Sequence, residues 1–142
     1  MQRRSSNRDF SAYNVAQQAR PVRPLARRAA ELAAECSRTD GPATAVELGC
    51  GIGVEARFLA ESGFTVHTVD GDASVERPMA ALSAQLPIHH TSVDLAQLRE
   101  LPPADLLPYG LEILELTEEE RDGRSFSGPK HWHTFRVIAR RP

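Results

Sequence analysis

The stretch from Ala45 to Gly53 constrains the fold of this chain more than any other feature. An apolar run ends at Glu47 and Leu48, and glycines then occupy positions 49, 51 and 53. Glycine tolerates positive φ and lets a ligand approach the backbone with no Cβ in the way. Such a turn, between a buried strand and the start of a helix, is typical of the nucleotide-type site of a doubly wound α/β sheet.

A second strand-like run, 64–69, ends at Asp70. The carboxyl ends of neighbouring parallel strands meet at one edge of a sheet, so Asp70 is expected beside the glycine turn. A carboxylate at that place can bind both hydroxyls of a ribose. The two elements together predict a site for a small molecule that contains a nucleoside.

The segments around this turn alternate between helix and strand. Residues 10–23 are predicted to be an ordered lead-in with a short helix, and Pro24–Glu35 a longer helix. Its buried stripe is predicted to contain Leu25, Ala29, Leu32 and Ala33. Further predictions are strands at 43–48, 64–69 and 88–93, and helices at 53–62 and 74–85, the last capped by Ser74. The tail is predicted to form an antiparallel hairpin from strands 111–116 and 134–139, with a long, charged loop between them.

Length and composition narrow the class of protein. A chain of 142 residues predicts one domain over 10–142, preceded by a disordered Arg-rich leader at 1–9. A net charge of −2 disfavours nucleic acid as a partner, and no apolar run approaches the roughly 18 residues of a membrane span. The 2 cysteines do not have the spacing of metal ligands, so no metal site is expected. So few cysteines also favour a reduced, cytoplasmic protein. Because Lys130 is the only lysine and alanines are many, a GC-rich, bacterial genome is expected.

Two ligand classes fit the glycine turn. The run from Gly51 to Ala56 satisfies the G-x-G-x-x-G/A pattern of dinucleotide sites, which would bind NAD. Glu47 argues against NAD, because a carboxylate directly before the turn repels a pyrophosphate. The same carboxylate complements S-adenosylmethionine, whose sulfonium and amino groups carry positive charge.

The run Glu47-Leu48-Gly49-Cys50-Gly51-Ile52-Gly53 resembles the first motif of the class I S-adenosylmethionine-dependent methyltransferases, and the Asp70 region is similar to their second. The resemblance covers about residues 43–101 and implies S-adenosylmethionine as cofactor. It implies that the ribose contacts Asp70, with Gly71 beside it, and that the adenine contacts Asp94 and Leu95. The methionine part is implied to contact the glycine turn, at Gly49, Cys50, Gly51 and Gly53.

Both ends of the chain are similar to the tellurite-resistance type of these enzymes. The similarity lies in Tyr13–Gln17 with Arg20-Pro21, and in the ending 131–141. It implies a lead-in that folds over the cofactor, with Tyr13 and Arg20 in contact with the methionine carboxylate. The other interpretation of Tyr13 is an aromatic side chain that only packs against its neighbours. The acceptor that it implies is a small molecule, for example a chalcogen compound.

The chain departs from that family between Leu107 and Leu111. The family fold has seven strands, and the elements missing here need roughly 50–60 residues. The expected fold is therefore α/β, a Rossmann-like doubly wound, mostly parallel sheet with a C-terminal antiparallel hairpin, truncated relative to the seven-stranded fold. A homodimer would cover the apolar surface that the truncation leaves.

The sequence predicts a protein that binds S-adenosylmethionine and methylates a small-molecule acceptor. The alternatives are a shortened domain that binds without turnover, and an NAD-binding domain. No residue is assigned as catalytic, because methyl transfer needs mainly alignment and exclusion of water. Candidates near the acceptor are the basic residues and histidines of the tail: Arg121, Arg124, Lys130, His131 and His133. The two histidines share a strand face, so they are also interpreted as packed or hydrogen-bonded side chains.

Overall fold

The computed structural model describes residues 10–36, 41–93, 110, 112–125 and 128–140. The chain divides into two compact units, Met1–Asp94 and Leu95–Pro142. The expected leader at 1–9 lies outside the described residues, and a single domain over 10–142 stays a prediction. In chain order the elements are α1 Phe10–Ala16, α2 Pro24–Glu35, β1 Thr44–Leu48, α3 Val54–Glu61, β2 Thr65–Asp70, α4 Glu76–Ser83, β3 Ile88–Ser92, β4 Glu112–Ser125 and β5 Gly128–Arg140.

The first unit contains a three-stranded parallel sheet in the order β1-β2-β3. Its register places Glu47 beside Thr68, and Thr68 beside His90. Parallel strands need crossover connections, and α3 and α4 supply them. This sheet and the antiparallel hairpin of the second unit confirm the α/β class.

The core of the first unit lies on one face of the sheet. Val66 and Ile88 are buried there against α3 and α4, and Met79 of α4 is fully buried. On the opposite face, Val46 and Leu48 are 66% and 74% exposed. Alternation along β1 thus points Glu47 inward and its two apolar neighbours outward.

Two local predictions in this unit were wrong. On α2, Leu25 of the predicted stripe is 39% exposed and Ala26 is buried instead, whereas Ala33 packs against the core as predicted. The turn before α4 is capped by Asp72, whose carboxylate accepts a hydrogen bond from the backbone N–H of Ser74. Pro78 lies in the first turn of α4, where its missing N–H costs no helical hydrogen bond.

The second unit is the antiparallel hairpin of β4 and β5, paired from Glu112–Arg140 to Ser125–Gly128. The hairpin was predicted correctly, but the long charged loop was not, because residues 117–125 continue β4. Charged side chains along β4 have partners across the hairpin: Glu119 accepts a hydrogen bond from Arg136 at 3.1 Å, and Glu112 accepts one from Arg140 at 2.7 Å. None of the helices within the described residues is long and apolar enough to cross a membrane.

Candidate functional site

The glycine turn after β1 requires glycine for two physical reasons. Gly49, Gly51 and Gly53 have φ of +70°, +54° and +84°, which residues with a Cβ rarely adopt. A Cβ on Gly53 would also lie 2.6 Å from Leu82 Cδ1 and 2.8 Å from Met79 Sδ. The turn therefore lies directly against α4, and its shape is fixed before any ligand binds.

Asp70 lies at the end of β2 and binds this turn directly. Its Oδ2 accepts a hydrogen bond from the N–H of Gly51 at 2.9 Å, and its Oδ1 accepts one from the N–H of Asp72 at 2.9 Å. Each carboxylate oxygen has a further lone pair, and the side chain is only half-buried, as is Gly71 beside it. The structure thus brings together the two elements that the sequence placed at one sheet edge.

Glu47 lies under the turn, at the N-terminus of α3. Its Oε2 is buried with no hydrogen-bond partner among the described residues. Burial first, and then the nearby Glu55 carboxylate, raise the pKa of Glu47 to about 7. A buried carboxylate oxygen without a donor favours a cation or a proton as its neighbour.

Arg20 and Glu55 join the lead-in to α3 by a bidentate ion pair. The two Nη atoms of Arg20 lie 2.5 and 2.6 Å from the carboxylate oxygens of Glu55, which also accepts from the N–H of Arg23 at 3.0 Å. Burial favours the neutral acid, but these hydrogen bonds outweigh it and lower the pKa of Glu55. Nη1 of Arg20 also donates to the carbonyl of Pro21 at 3.1 Å, so within the described residues the buried Nε and the second N–H of Nη2 are left for the predicted contact with a methionine carboxylate.

The short helix α1 contacts the turn through Asn14. This side chain is 6% exposed, and its Nδ2 donates to Ser74 Oγ at 2.8 Å. Ser74 Oγ donates in turn to the carboxylate of Asp72. A Cβ on Gly51 would lie 3.3 Å from Asn14 Oδ1.

Asn14, Asp72 and Ser74 are residues that the sequence reasoning missed as parts of the site. The Asp-x-Ser spacing of Asp72 and Ser74 is a helix-cap signal that could have located the turn. Asn14 lies in the lead-in segment Tyr13–Gln17, but only Tyr13 of that segment was predicted to be a site residue. Tyr13, its predicted neighbour at the cofactor, is half-buried with its hydroxyl 3.5 Å from an Nη of Arg23.

Cys50 is buried beneath the turn. Burial first, and then the Asp70 carboxylate, raise the pKa of the Cys50 thiol to about 12, so the thiol stays protonated at neutral pH. A protonated buried thiol is a packing group, which agrees with the interpretation of Cys50 as a small loop residue. Its Sγ lies 3.9 Å from His90 Nδ1, which is 2.9 Å from Thr68 Oγ1.

Two predicted adenine contacts, Asp94 and Leu95, lie outside the described residues. The acceptor-side candidates lie on the hairpin and are engaged there. The ring nitrogens of His131 lie 2.8 Å from carboxylate oxygens of Asp122 and Glu120. His133 Nε2 lies 2.6 Å from Glu118, so the hydrogen-bonded interpretation of these histidines is confirmed.

The remaining hairpin candidates are basic. Lys130 Nζ lies 4.3 Å from the centre of the Trp132 ring, a cation–π contact, and Arg121 pairs with Glu119 at 3.3 Å. Arg124 is exposed, opposite Pro129. No three His, Cys, Asp or Glu side chains converge as metal ligands within the part of the chain that the structure describes.

An open depression of about 520 Å³ lies between α3 and α4. Gln18 and Val22 of the lead-in line it together with Phe58, Pro78 and Leu82. It includes neither Glu47 nor Asp70, so the hydrogen-bond geometry, and not this depression, defines the candidate site.

Comparison with known proteins gives structural likeness alone. No protein-family model matches the chain, and no curated protein matches it. The chain overlays the glycopeptide N-methyltransferase MtfA complexed with S-adenosylmethionine at a TM-score of 0.40 and 16% identity, covering 81% of this chain and 72% of that one.

Two further solved structures show a similar degree of likeness. The C-terminal domain of precorrin-6Y C5,15-methyltransferase from Rhodobacter capsulatus gives a TM-score of 0.39 and 13% identity, over 80% of this chain and 85% of that one. A structure from work on the conversion of a disulfide bond into a thioacetal group during echinomycin biosynthesis gives 0.43 and 14%, over 93% and 92%. At these values the overlays do not assign a function to this chain.

Proposed function

We propose that this chain binds S-adenosylmethionine at the glycine turn and transfers its methyl group to a small-molecule acceptor. The observation that carries the proposal is the carboxylate of Glu47, held at the N-terminus of α3 with a buried oxygen that has no described donor. A ligand that brings positive charge to this end of the sheet satisfies that oxygen. S-adenosylmethionine has both a sulfonium and an amino group.

The same geometry disfavours a dinucleotide. A pyrophosphate at such a turn binds the free N–H groups at the start of the helix. In this chain the carboxylates of Glu47 and Glu55 already lie at the start of α3. Adding two phosphate charges to that place would be repulsive.

In the proposed complex Asp70 binds the ribose hydroxyls through its remaining lone pairs. Its two backbone hydrogen bonds fix the carboxylate before the ligand arrives, which lowers the cost of ordering on binding. Gly49, Cys50, Gly51 and Gly53 are proposed to contact the methionine part, with Gly71 beside the ribose. Tyr13 and Arg20 approach from the lead-in, and Asp94 and Leu95 are the proposed adenine contacts.

The proposed reaction is a direct displacement. A lone pair of the acceptor attacks the methyl carbon, the bond from carbon to sulfur breaks, and its electrons return to sulfur as a neutral thioether. The positive charge passes to the acceptor, which loses a proton to solvent or to a nearby base. Alignment and exclusion of water supply most of the acceleration of such a step.

Calorimetry on the full chain separates the ligand classes. We expect S-adenosylhomocysteine, the neutral-sulfur product, to bind, and NAD not to bind at the same concentration. Binding of NAD without binding of the thioether would overturn the proposal.

A second measurement separates binding from turnover. Mass spectrometry of reactions with S-adenosylmethionine and a panel of thiol, selenol, tellurite and amine acceptors detects formation of S-adenosylhomocysteine. Binding with no turnover above the spontaneous rate would replace the enzyme by the alternative, a shortened binding domain. Both cysteines are free thiols, which fits the cytoplasmic location that we also propose.

A further inference from the structure

The outer edge of β5 has no pairing strand among the described residues. β5 runs for 13 residues and pairs on one side only, with β4. A long strand edge presents a row of backbone donors and acceptors to any other strand. We propose that β5 pairs in antiparallel orientation with β5 of a second copy of this chain, forming a four-stranded sheet across a dimer.

The opposite edge of the hairpin is a poor candidate for the same role. β4 contains an irregularity in register between Ile113 and Glu115, and such bulges interrupt pairing along an edge. Three consecutive glutamates, Glu118–Glu120, occupy the middle of β4. Antiparallel pairing of β4 with itself around its middle would place glutamates opposite one another, which is destabilising.

On β5 the register that uses the full length of the strand avoids like charges. Thr134 is the middle residue of the strand, so centring the pair there uses its full length. Trp132 then lies opposite Arg136 of the partner subunit, and Lys130 opposite Ile138 of the partner subunit. Moving the centre to His133 would place Lys130 opposite Arg136, two cations, and the centre at Thr134 is therefore favoured.

Side chains beside this edge also gain from an added strand. Val137 is 48% exposed and lies directly opposite Leu116, which is 60% exposed. In the proposed register, His131 of the partner subunit lies next to Val137 and removes part of this apolar surface from water. Trp132 already binds Lys130 at 4.3 Å, and an arginine guanidinium is the preferred cation for such a ring.

The test is the oligomeric state of the full chain by sedimentation equilibrium. We expect a reversible dimer, and we expect Thr134→Lys to weaken it by about fivefold, because the substitution places two like charges opposite each other at the dimer axis. Thr117→Lys is the matched control, since Thr117 lies on the same face of the hairpin as Thr134 but belongs to β4. It should leave the dimer constant unchanged.

A wild-type chain that stays monomeric in sedimentation equilibrium at concentrations up to about 1 mM would overturn the proposal. Equal weakening by the two lysine variants would also overturn it, because the interface would then be the hairpin face and not the β5 edge. If Thr134→Lys fails to fold, cross-linking of Thr134→Cys tests the proposal instead, in a chain that also carries Cys36→Ser. A short bis-maleimide should link Thr134→Cys into a covalent dimer and should give no covalent dimer from Thr117→Cys. Absence of that covalent dimer excludes the β5 edge.

Discussion

The Oδ2 of Asp70 accepts a hydrogen bond from the backbone N–H of Gly51 at 2.9 Å, so the end of β2 holds the turn that follows β1. The second oxygen of the same carboxylate holds the turn before α4 through the N–H of Asp72. One side chain thus fixes two loops at the carboxyl edge of the sheet. Because charge-assisted hydrogen bonds are stronger than neutral ones, this edge is the rigid part of the candidate site.

Replacing Asp70 tests its proposed contact with the ribose. Asp70→Ala should weaken binding of S-adenosylhomocysteine by about 1.5–3 kcal/mol, from losing hydrogen bonds to a charged acceptor. Calorimetry measures the affinity, and circular dichroism checks that the variant is folded. The control is Glu35→Ala, which removes an exposed carboxylate of α2 that is not part of the candidate site. This variant should bind S-adenosylhomocysteine as the wild type does. Unchanged affinity in Asp70→Ala would remove Asp70 from the site.

Gly53→Ala should be strongly destabilising. The added Cβ would lie 2.6 Å from Leu82 Cδ1 at a φ of +84°, so overpacking and backbone strain combine. Overpacking of this kind costs about 1–3 kcal/mol, and an L-residue at positive φ about 1 kcal/mol more. Urea denaturation measures the free energy of unfolding. Gly41→Ala is the matched control, because its Cβ would meet nothing within 4 Å, and a loss of stability there equal to that of Gly53→Ala would contradict this account.

The sequence predicted the edge of the sheet well because that part depends on local chemistry. Glycines at alternate positions after an apolar run allow few conformations, and the carboxyl ends of parallel strands must meet. Asp70 and Gly51 therefore had to be neighbours once both strands were recognised. The direct hydrogen bond between them could not be predicted, since it depends on a side-chain rotamer.

The sequence predicted poorly where partners come from distant parts of the chain. The glutamates at 118–120 looked like a solvated loop, and only the register with β5 supplies His133 and Arg136 as their partners. On α2 several alanines give nearly equal hydrophobic stripes, so the helix face could not be chosen from periodicity alone. Pairing of Arg20 with Glu55 joins positions 35 apart, which no local pattern encodes.

The ion pair of Arg20 and Glu55 should stabilise the fold measurably. The side chains are only 20% and 10% exposed, and each single substitution, Arg20→Met or Glu55→Met, leaves a largely buried charge without its partner. We expect each to cost about 1.5–3 kcal/mol in urea denaturation, with the double variant costing less than the sum. The exposed pair of Arg57 and Glu61 is the control, and its coupling energy should stay below about 0.5 kcal/mol. Additive effects of Arg20→Met and Glu55→Met would show that the two side chains are not coupled.

Glu47 should make the stability of the fold fall as pH rises through neutrality. Burial first, and then the Glu55 carboxylate, raise the pKa of Glu47 from 4.5 to about 7, so between these values the folded chain holds a proton that the unfolded chain has lost. Stability is therefore lost from about pH 4.5 upward, by about 3 kcal/mol once the pH is well above 7. The lowered pKa of Glu55 acts in a separate window, since its contribution is lost only as the pH falls below the ordinary range of a glutamate.

Urea denaturation of the wild type and of Glu47→Gln, each measured at several values between pH 5 and pH 8.5, isolates this contribution. Glutamine keeps the shape of the side chain and an acceptor oxygen but cannot ionise. The difference in unfolding free energy should therefore shift steadily in favour of Glu47→Gln as the pH rises from 5, and it should level off above about 7. Two curves that stay parallel across this range would show that Glu47 ionises at its ordinary pKa, and the unpartnered oxygen would then have access to solvent.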